Sequence, residues 1–390
     1  EKISAITDPL KAAKLSWGHL IVDEGQDFPI AMYQALMAVV EHPLIRPKER
    51  STLTVFADEN QTIGPANSTL LDIQLSLGAT ARGKRYWRLE KNYRNTREIA
   101  EFATFYQISG KAAAKLPDSL GGMKPQAIFF DGHDDVANHI TNYLANNSAV
   151  EIGVLSFGKK GDVKNIHSKI RDNLETKNLE CKLQMYLSNR DRSQPFASEM
   201  GLKFNSPPSI TVLHAKSCKG LEFDAVFLVN LHRDGRSYDD KGQELIKDMY
   251  VLASRARKVL FCDIVCFESS LPEPTRLLPS PDSQLCRYSA GTTWRDQLRD
   301  KLELVDWAET EEMADKIRAR HYAELLLKKG EEGRVILSNA AKSVGSSPAI
   351  LDVIDDRWVT QRVSDVANLI TEIGPHLIDM KLSDLNLEMH

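Results

Sequence analysis

The stretch "HLIVDEGQDFP", residues 19 to 29, sets an apolar run directly against acids. Leu20, Ile21 and Val22 read as a buried strand, and Asp23 and Glu24 follow at once, with Gln26 and Asp27 close behind. A solvated loop explains one acid and fits a cluster less well. Carboxylates beside a core cost free energy unless they are paired or hold a metal. The placement predicts a site at the carboxyl end of a parallel strand, where α/β sheets bind their ligands.

Outward from this stretch, apolar strands alternate with helical patterns from residue 15 to about 267, which implies parallel α/β layers. The expected strands are 19–23, 52–57, 85–89, 126–130, 151–156, 209–213, 224–230 and 258–266. The expected helices are 29–41, 68–76, 95–107, 134–146, 162–175 and 243–253. "LPDSLGGMKPQ" (116–126) reads as a linker, and the Pro/Ser-rich "SSLPEPTRLLPSPDSQ" (269–284) as a second break. Helical patterns alone follow it, at 294–304 and 308–329, so 285–390 reads as a helical extension. Within it, "NAAKSVGSSPAILDVIDDRW" (339–358) has helix-turn-helix spacing. Asp352, Asp355 and Asp356 give that segment the wrong sign for a DNA groove, so a plain helical hairpin is the better reading.

The chain has 390 residues, enough for two or three domains, with 42% hydrophobic and 27% charged residues. A net charge of -4 means that any nucleic-acid contact must use a local basic groove. No apolar run approaches the roughly 18 residues of a membrane span, and no secretory signal opens the chain, so a cytoplasmic location is expected. The five cysteines form no zinc pattern, and Cys262 and Cys266 in "VLFCDIVCF" read as buried thiols on one strand face. The chain opens on Glu1, not Met, and an additional upstream segment is expected.

Five short segments carry the chemistry. "VDEGQD" (22–27) offers Asp23 to a magnesium ion on nucleotide phosphates and Glu24 to a hydrolytic water. "VFADENQTI" (55–63) again ends a strand in acids, with Gln61 placed to sense a γ-phosphate. "RLEKNYRNTREIAEF" (88–102) sets Arg94 at a helix start. "ITVLHAKSCKGLEFDAVFL" (210–228) is a Gly-containing turn between two strands, and "MYVLASRARKVLF" (249–261) puts Arg255 and Arg257 after a helical stretch.

In this order the five segments resemble motifs II to VI of superfamily 1 helicases of the UvrD/Rep type, over roughly two thirds of the chain. The resemblance implies an α/β protein of two RecA-like lobes with parallel sheets, the first incomplete, and ATP in the cleft between them. The lobes would span 1–88 and 89–268, with little or no insertion in the second. By motif matching, Asp23 and Glu24 would hold magnesium, and Glu24 would orient water. Gln61 would couple the γ-phosphate to the nucleic-acid site. Arg94 and Arg255 would stabilise the transferring phosphate, because the planar guanidinium fork matches its oxygens. Glu222 would contact the ribose, Gly220 would keep the turn tight, and His214, Lys216 and Lys219 would face nucleic acid. The implied cofactors are ATP and magnesium, and the implied partner is single-stranded DNA, with RNA left open. Helices in 294–390 are the candidate docking surface for a protein partner.

Each element has a plainer reading. An Asp-Glu pair after a strand also suits a solvated loop, Arg94 could cap a helix or pair with Glu98, and Arg255 and Arg257 could form a surface stripe. The sequence also departs from the family. No G-x-x-x-x-G-K-[ST] occurs; "GATARGKR" (78–85) comes within one residue but follows motifs II and III, so the phosphate-binding loop is expected upstream of Glu1. Gly64 and Pro65 stand where an aromatic platform is expected after Gln61, and Lys216 and His214 replace the family's usual histidine and threonine. "SFGKKGD" (156–162) fits either a phosphate contact or a solvated turn.

Overall fold

The computed structural model describes residues 3, 5–58, 68–78, 87, 89, 92–107, 116–117, 121–187, 202–204, 206–233, 242–266, 271–291, 294–305 and 307. Those up to Leu89 belong to one compact unit and those from Asn92 to a second.

In the first unit, α1 (Pro9–Ala13) starts on Asp8, whose carboxylate accepts Leu10 N–H, with proline at the first turn. Strand β1 (His19–Val22) leads into α2 (Ile30–Val40), and β2 (Thr52–Val55) leads towards α3 (Leu70–Leu77). The two strands pair in parallel, from His19 opposite Thr52 to Val22 opposite Val55. Helix α3 opens on a capping box in which Thr69 and Asp72 satisfy each other's backbone N–H groups. Tyr33 of α2 is fully buried and donates its hydroxyl hydrogen to Gly25 O. Glycine is required there by space, since a Cβ would lie 2.4 Å from Val55 Cγ1 and 2.7 Å from Tyr33 Oη. This close approach seats the acidic turn directly on the end of β2.

The second unit comprises α4 (Arg97–Phe105), β3 (Gln126–Phe130), α5 (His133–Asn146), β4 (Glu151–Ser156), α6 (Lys160–Thr176), β5 (Lys182–Tyr186), β6 (Ser209–His214), β7 (Phe223–Val229), α7 (Gly242–Ala253), β8 (Ala256–Val265), β9 (Arg287–Ala290) and α8 (Leu298–Glu303). Its seven described strands form one parallel sheet in the order β5-β6-β4-β7-β8-β3-β9. Strand β4 is buried at every position, because a central parallel strand is covered on both faces. Val136 and Ile140 of α5 and Val163, Ile166 and Ile170 of α6 pack with Val154, Ile210 and Phe227 in the core. The unit is α/β in class, and its sheet is consistent with a RecA-like lobe.

Strands β1 to β4 and β6 to β8 match the sequence expectation to within one or two residues at each end. Two strands were not expected. Edge strand β5, "KLQMY", mixes polarity, and β9, "RYSA", is only four residues long. β9 also corrects the domain boundary. It pairs with β3, so residues 287–290 complete the second sheet and do not begin a helical extension. The described part of the Pro/Ser-rich segment, residues 271–284, packs onto this unit: Leu277, Leu278 and Thr275 are buried, and Tyr106 donates to Leu277 O at 2.7 Å. Helix α8 is shorter than the expected 294–304. Of the expected strand 85–89, described Trp87 and Leu89 lie outside any strand and are exposed. The helix 308–329 and the 339–358 hairpin lie outside the described residues.

Candidate nucleotide and nucleic-acid sites

Asp23 and Glu24 stand at the carboxyl end of β1, where the sequence located them. Asp23 is exposed, and its Oδ1 accepts Glu24 N–H at 2.9 Å. Glu24 has φ 51°, a left-handed conformation that turns the chain sharply out of the strand. Gln26, fully buried, donates Nε2–H to Glu24 Oε2 at 2.7 Å and accepts Asp58 N–H on Oε1 at 2.9 Å. Beneath the turn, burial and then the Asp27 charge push the Tyr33 hydroxyl up to about 12, so it stays a neutral donor. Among the described residues no group of three or more His, Cys, Asp or Glu forms a metal cage. A pair of neighbouring carboxylates is nevertheless the donor set of a magnesium ion that takes its other ligands from phosphate and water. Gln61 lies outside the described residues.

In the second unit, residues from three distant segments gather at the amino ends of β7 and β8. Arg94 Nε lies 2.6 Å from Glu222 Oε1, and both side chains are partly exposed. Glu222 immediately precedes β7 and Arg255 immediately precedes β8, and Phe223 N–H donates to Arg255 O at 3.0 Å. Asn95 joins the segments from below. Its Nδ2 donates to Ser254 O at 3.1 Å and to Ala256 O at 2.6 Å. Gly220 has φ 78°, which glycine adopts without strain. Arg255 is 1% exposed, with Nε donating to Val251 O and Nη2 to Ser254 Oγ. Burial pushes the nearby Cys218 thiol up to about 12 against the pull of Arg255, so this thiol is inert.

Arg257 is built into the sheet instead. Its Nη2 lies 3.3 Å from Glu151 Oε2 and 3.5 Å from Asp224 Oδ1, the first residue of β4 and the second of β7. The proposed nucleic-acid residues begin at the opposite edge. His214 ends β6; its Nδ1 accepts Lys216 N–H at 3.1 Å, so Nε2 carries the hydrogen and donates to Gly158 O at 3.0 Å. Both ring nitrogens are thus used within the protein, and His214 shapes the turn that leads to Lys216. Lys216 is exposed and Lys219 half-buried on the segment that runs from there to Glu222. Gln26 and Asn95 are the residues that sequence reasoning missed; a buried glutamine or asparagine gives no signal until its partners from other segments are known.

Neither a family model nor a curated protein matches the sequence. Among solved structures, the C-terminal domain of a possible DNA helicase from Lactobacillus plantarum WCFS1 aligns over 50% of this chain and 98% of that one, at 18% identity and a TM-score of 0.32. Cas3 of T. fusca with AMPPNP aligns over 94% of this chain and 38% of that one, at 13% identity and a TM-score of 0.29. At these scores neither likeness carries a functional argument, which rests on the chain's own residues. No helix of the described residues is long and apolar enough to cross a membrane.

Proposed function

We propose that the chain is the motor portion of an ATP-dependent helicase or translocase of the UvrD type, moving 3′ to 5′ on single-stranded DNA. One observation supports this above the rest. Arg94, Glu222 and Arg255 lie on three segments far apart in sequence, and these are joined by the 2.6 Å Arg94–Glu222 pair and the two Asn95 hydrogen bonds. A surface stripe of arginines would not need that construction.

In this reading Asp23 holds magnesium, which when bound neutralises phosphate charge, and Glu24 orients the attacking water. Arg94 and Arg255 stabilise the charge that develops on the transferring phosphate. Glu222 takes the ribose, Gln61 senses the γ-phosphate, and Lys216 and Lys219 grip the nucleic-acid backbone. Glu24→Gln keeps the size of the side chain and removes the charge that orients water. ATP turnover should then fall by several hundred-fold, about 4 kcal/mol on the barrier, with nucleotide still bound. Near-normal turnover in that variant would remove Glu24 from the mechanism.

A second reading is a nucleic-acid-dependent ATPase that regulates a partner such as a nuclease without processive unwinding. Gly64 and Pro65, standing where a base-stacking aromatic is expected, favour it. Strand displacement measured beside ATP turnover separates the two: turnover with DNA stimulation but no displacement selects the second.

A further inference from the structure

We infer that Gln26 is the positioning residue of the hydrolytic site, holding the Glu24 carboxylate in place while tying it to the segment that follows β2. The inference rests on Glu24 being the water-orienting group.

The amide's orientation is fixed by its partners. Asp58 supplies a backbone N–H, which only the amide oxygen can accept, so the amide nitrogen must face Glu24. There it donates to Oε2 at 2.7 Å, a charge-assisted bond from a fully buried side chain. The main-chain oxygen of Gln26 also accepts Ser68 N–H at 3.1 Å, so one residue holds Glu24, Asp58 and Ser68. Close replacements each fail at least one of the two demands. Glutamate accepts from Asp58 but cannot donate to Glu24, asparagine is too short to span both, and methionine fills the space and bonds neither. Glu24 itself sits on a left-handed residue at the end of a strand, where its backbone alone does not fix the carboxylate. Misplacing a reacting group by about 1 Å can cost on the order of a hundredfold in rate.

The test uses Gln26→Glu and Gln26→Met, each alone and combined with Glu24→Gln, in the full-length protein. Turnover, KM for ATP and thermal melting are measured for all. Gln26→Glu should lower kcat by about 30-fold with KM within about twofold of the parent. Gln26→Met, which adds no buried charge, should lower kcat by about tenfold and carries the test if the glutamate variant fails to fold. In the Glu24→Gln background neither should lower kcat further, because the effect of Gln26 on hydrolysis runs through that carboxylate. A structural role would instead give equal fold-losses in both backgrounds, in step with lowered melting temperatures, and that result overturns the inference. Loss in Glu24→Gln together with full activity in both Gln26 variants overturns it too, leaving the hydrolytic reading intact. Near-normal turnover in Glu24→Gln alone overturns the hydrolytic reading and this inference with it.

Discussion

Arg257 spans two acids at the amino edge of the second sheet, while Arg255, two residues earlier, is enclosed beside Val251 and Ser254. The difference decides what each can do. Glu151 is 5% exposed, and without Arg257 its carboxylate would keep only the Ser206 N–H among its partners in the described residues. Breaking a buried ion pair costs about 3–5 kcal/mol, less where one partner is a third exposed as Arg257 is. Arg257→Ala should therefore lower stability by about 1–3 kcal/mol in urea while turnover of the folded protein holds. Arg255→Ala would remove a fully buried side chain and confound stability with chemistry, so Arg255→Lys is the sharper change. Lysine keeps the charge and loses the planar fork, and should cut turnover by about a hundredfold with little change in nucleotide binding. If the lysine variant turned over normally while Arg257→Ala abolished turnover at unchanged stability, the two roles would have to be exchanged.

At the scale of elements, the segment joining β8 to β9 shows how composition misleads. Its prolines and serines suggest a solvated linker, yet Leu278 is fully buried. Leu278→Ala should cost about 2–5 kcal/mol, where a linker residue would stay within about 0.5 kcal/mol; urea denaturation distinguishes them. The long central strands were legible because apolar runs bounded by turns have few other readings, whereas β5 and β9 were not, being short edge strands whose pairing alone makes them strands. The same limit applied to the site. Chemistry-bearing residues were legible, but Asn95 bonds to Ala256 across 161 positions, which no local pattern announces. Helix α5 carries a further consequence through His139, whose Nδ1 lies 2.9 Å from Asp263 Oδ2 on β8. Burial lowers the His139 pKa, but the charge and hydrogen bond of Asp263 outweigh it and hold it above the usual 6.5. Burial also raises the Asp263 carboxyl, against the pull of His139. Groups raised in the folded state bind protons more tightly there, so their stabilisation is complete at low pH and lost as pH rises. For His139 the loss begins near 6.5 and runs through its raised value. Unfolding free energy should thus decline over that window, and His139→Gln, which can still donate to Asp263 but does not titrate, should flatten the decline.

For the molecule as a whole, a net charge of -4 means that long-range attraction to a polyanion does not come from the sum of its charges. Under the proposed reading, binding to single-stranded DNA must then arise from local cations, and that reading names two on one segment. From His214 at the carboxyl end of β6 to Glu222 before β7, the chain runs from one edge of the sheet to the other, and Lys216 and Lys219 lie along it. Both strands flank β4 in parallel, so this crossing is obligatory. A DNA contact at its start and a nucleotide contact at its end would therefore share one short piece of backbone. On a single strand, each phosphate deprived of its lysine should reduce the dependence of log affinity on log salt by about 0.7. Lys216→Ala combined with Lys219→Ala should accordingly reduce that slope by about 1.4 and raise the DNA concentration for half-maximal ATPase stimulation by about tenfold at moderate salt. Turnover without DNA should stay within about twofold, because neither lysine is assigned to the phosphates of ATP. Titrations of single-stranded DNA at several salt concentrations, read by turnover and by direct binding, measure both quantities. An unchanged slope in the double variant would move the nucleic-acid path off this segment, and an equal loss of DNA-free turnover would make the lysines part of the nucleotide site.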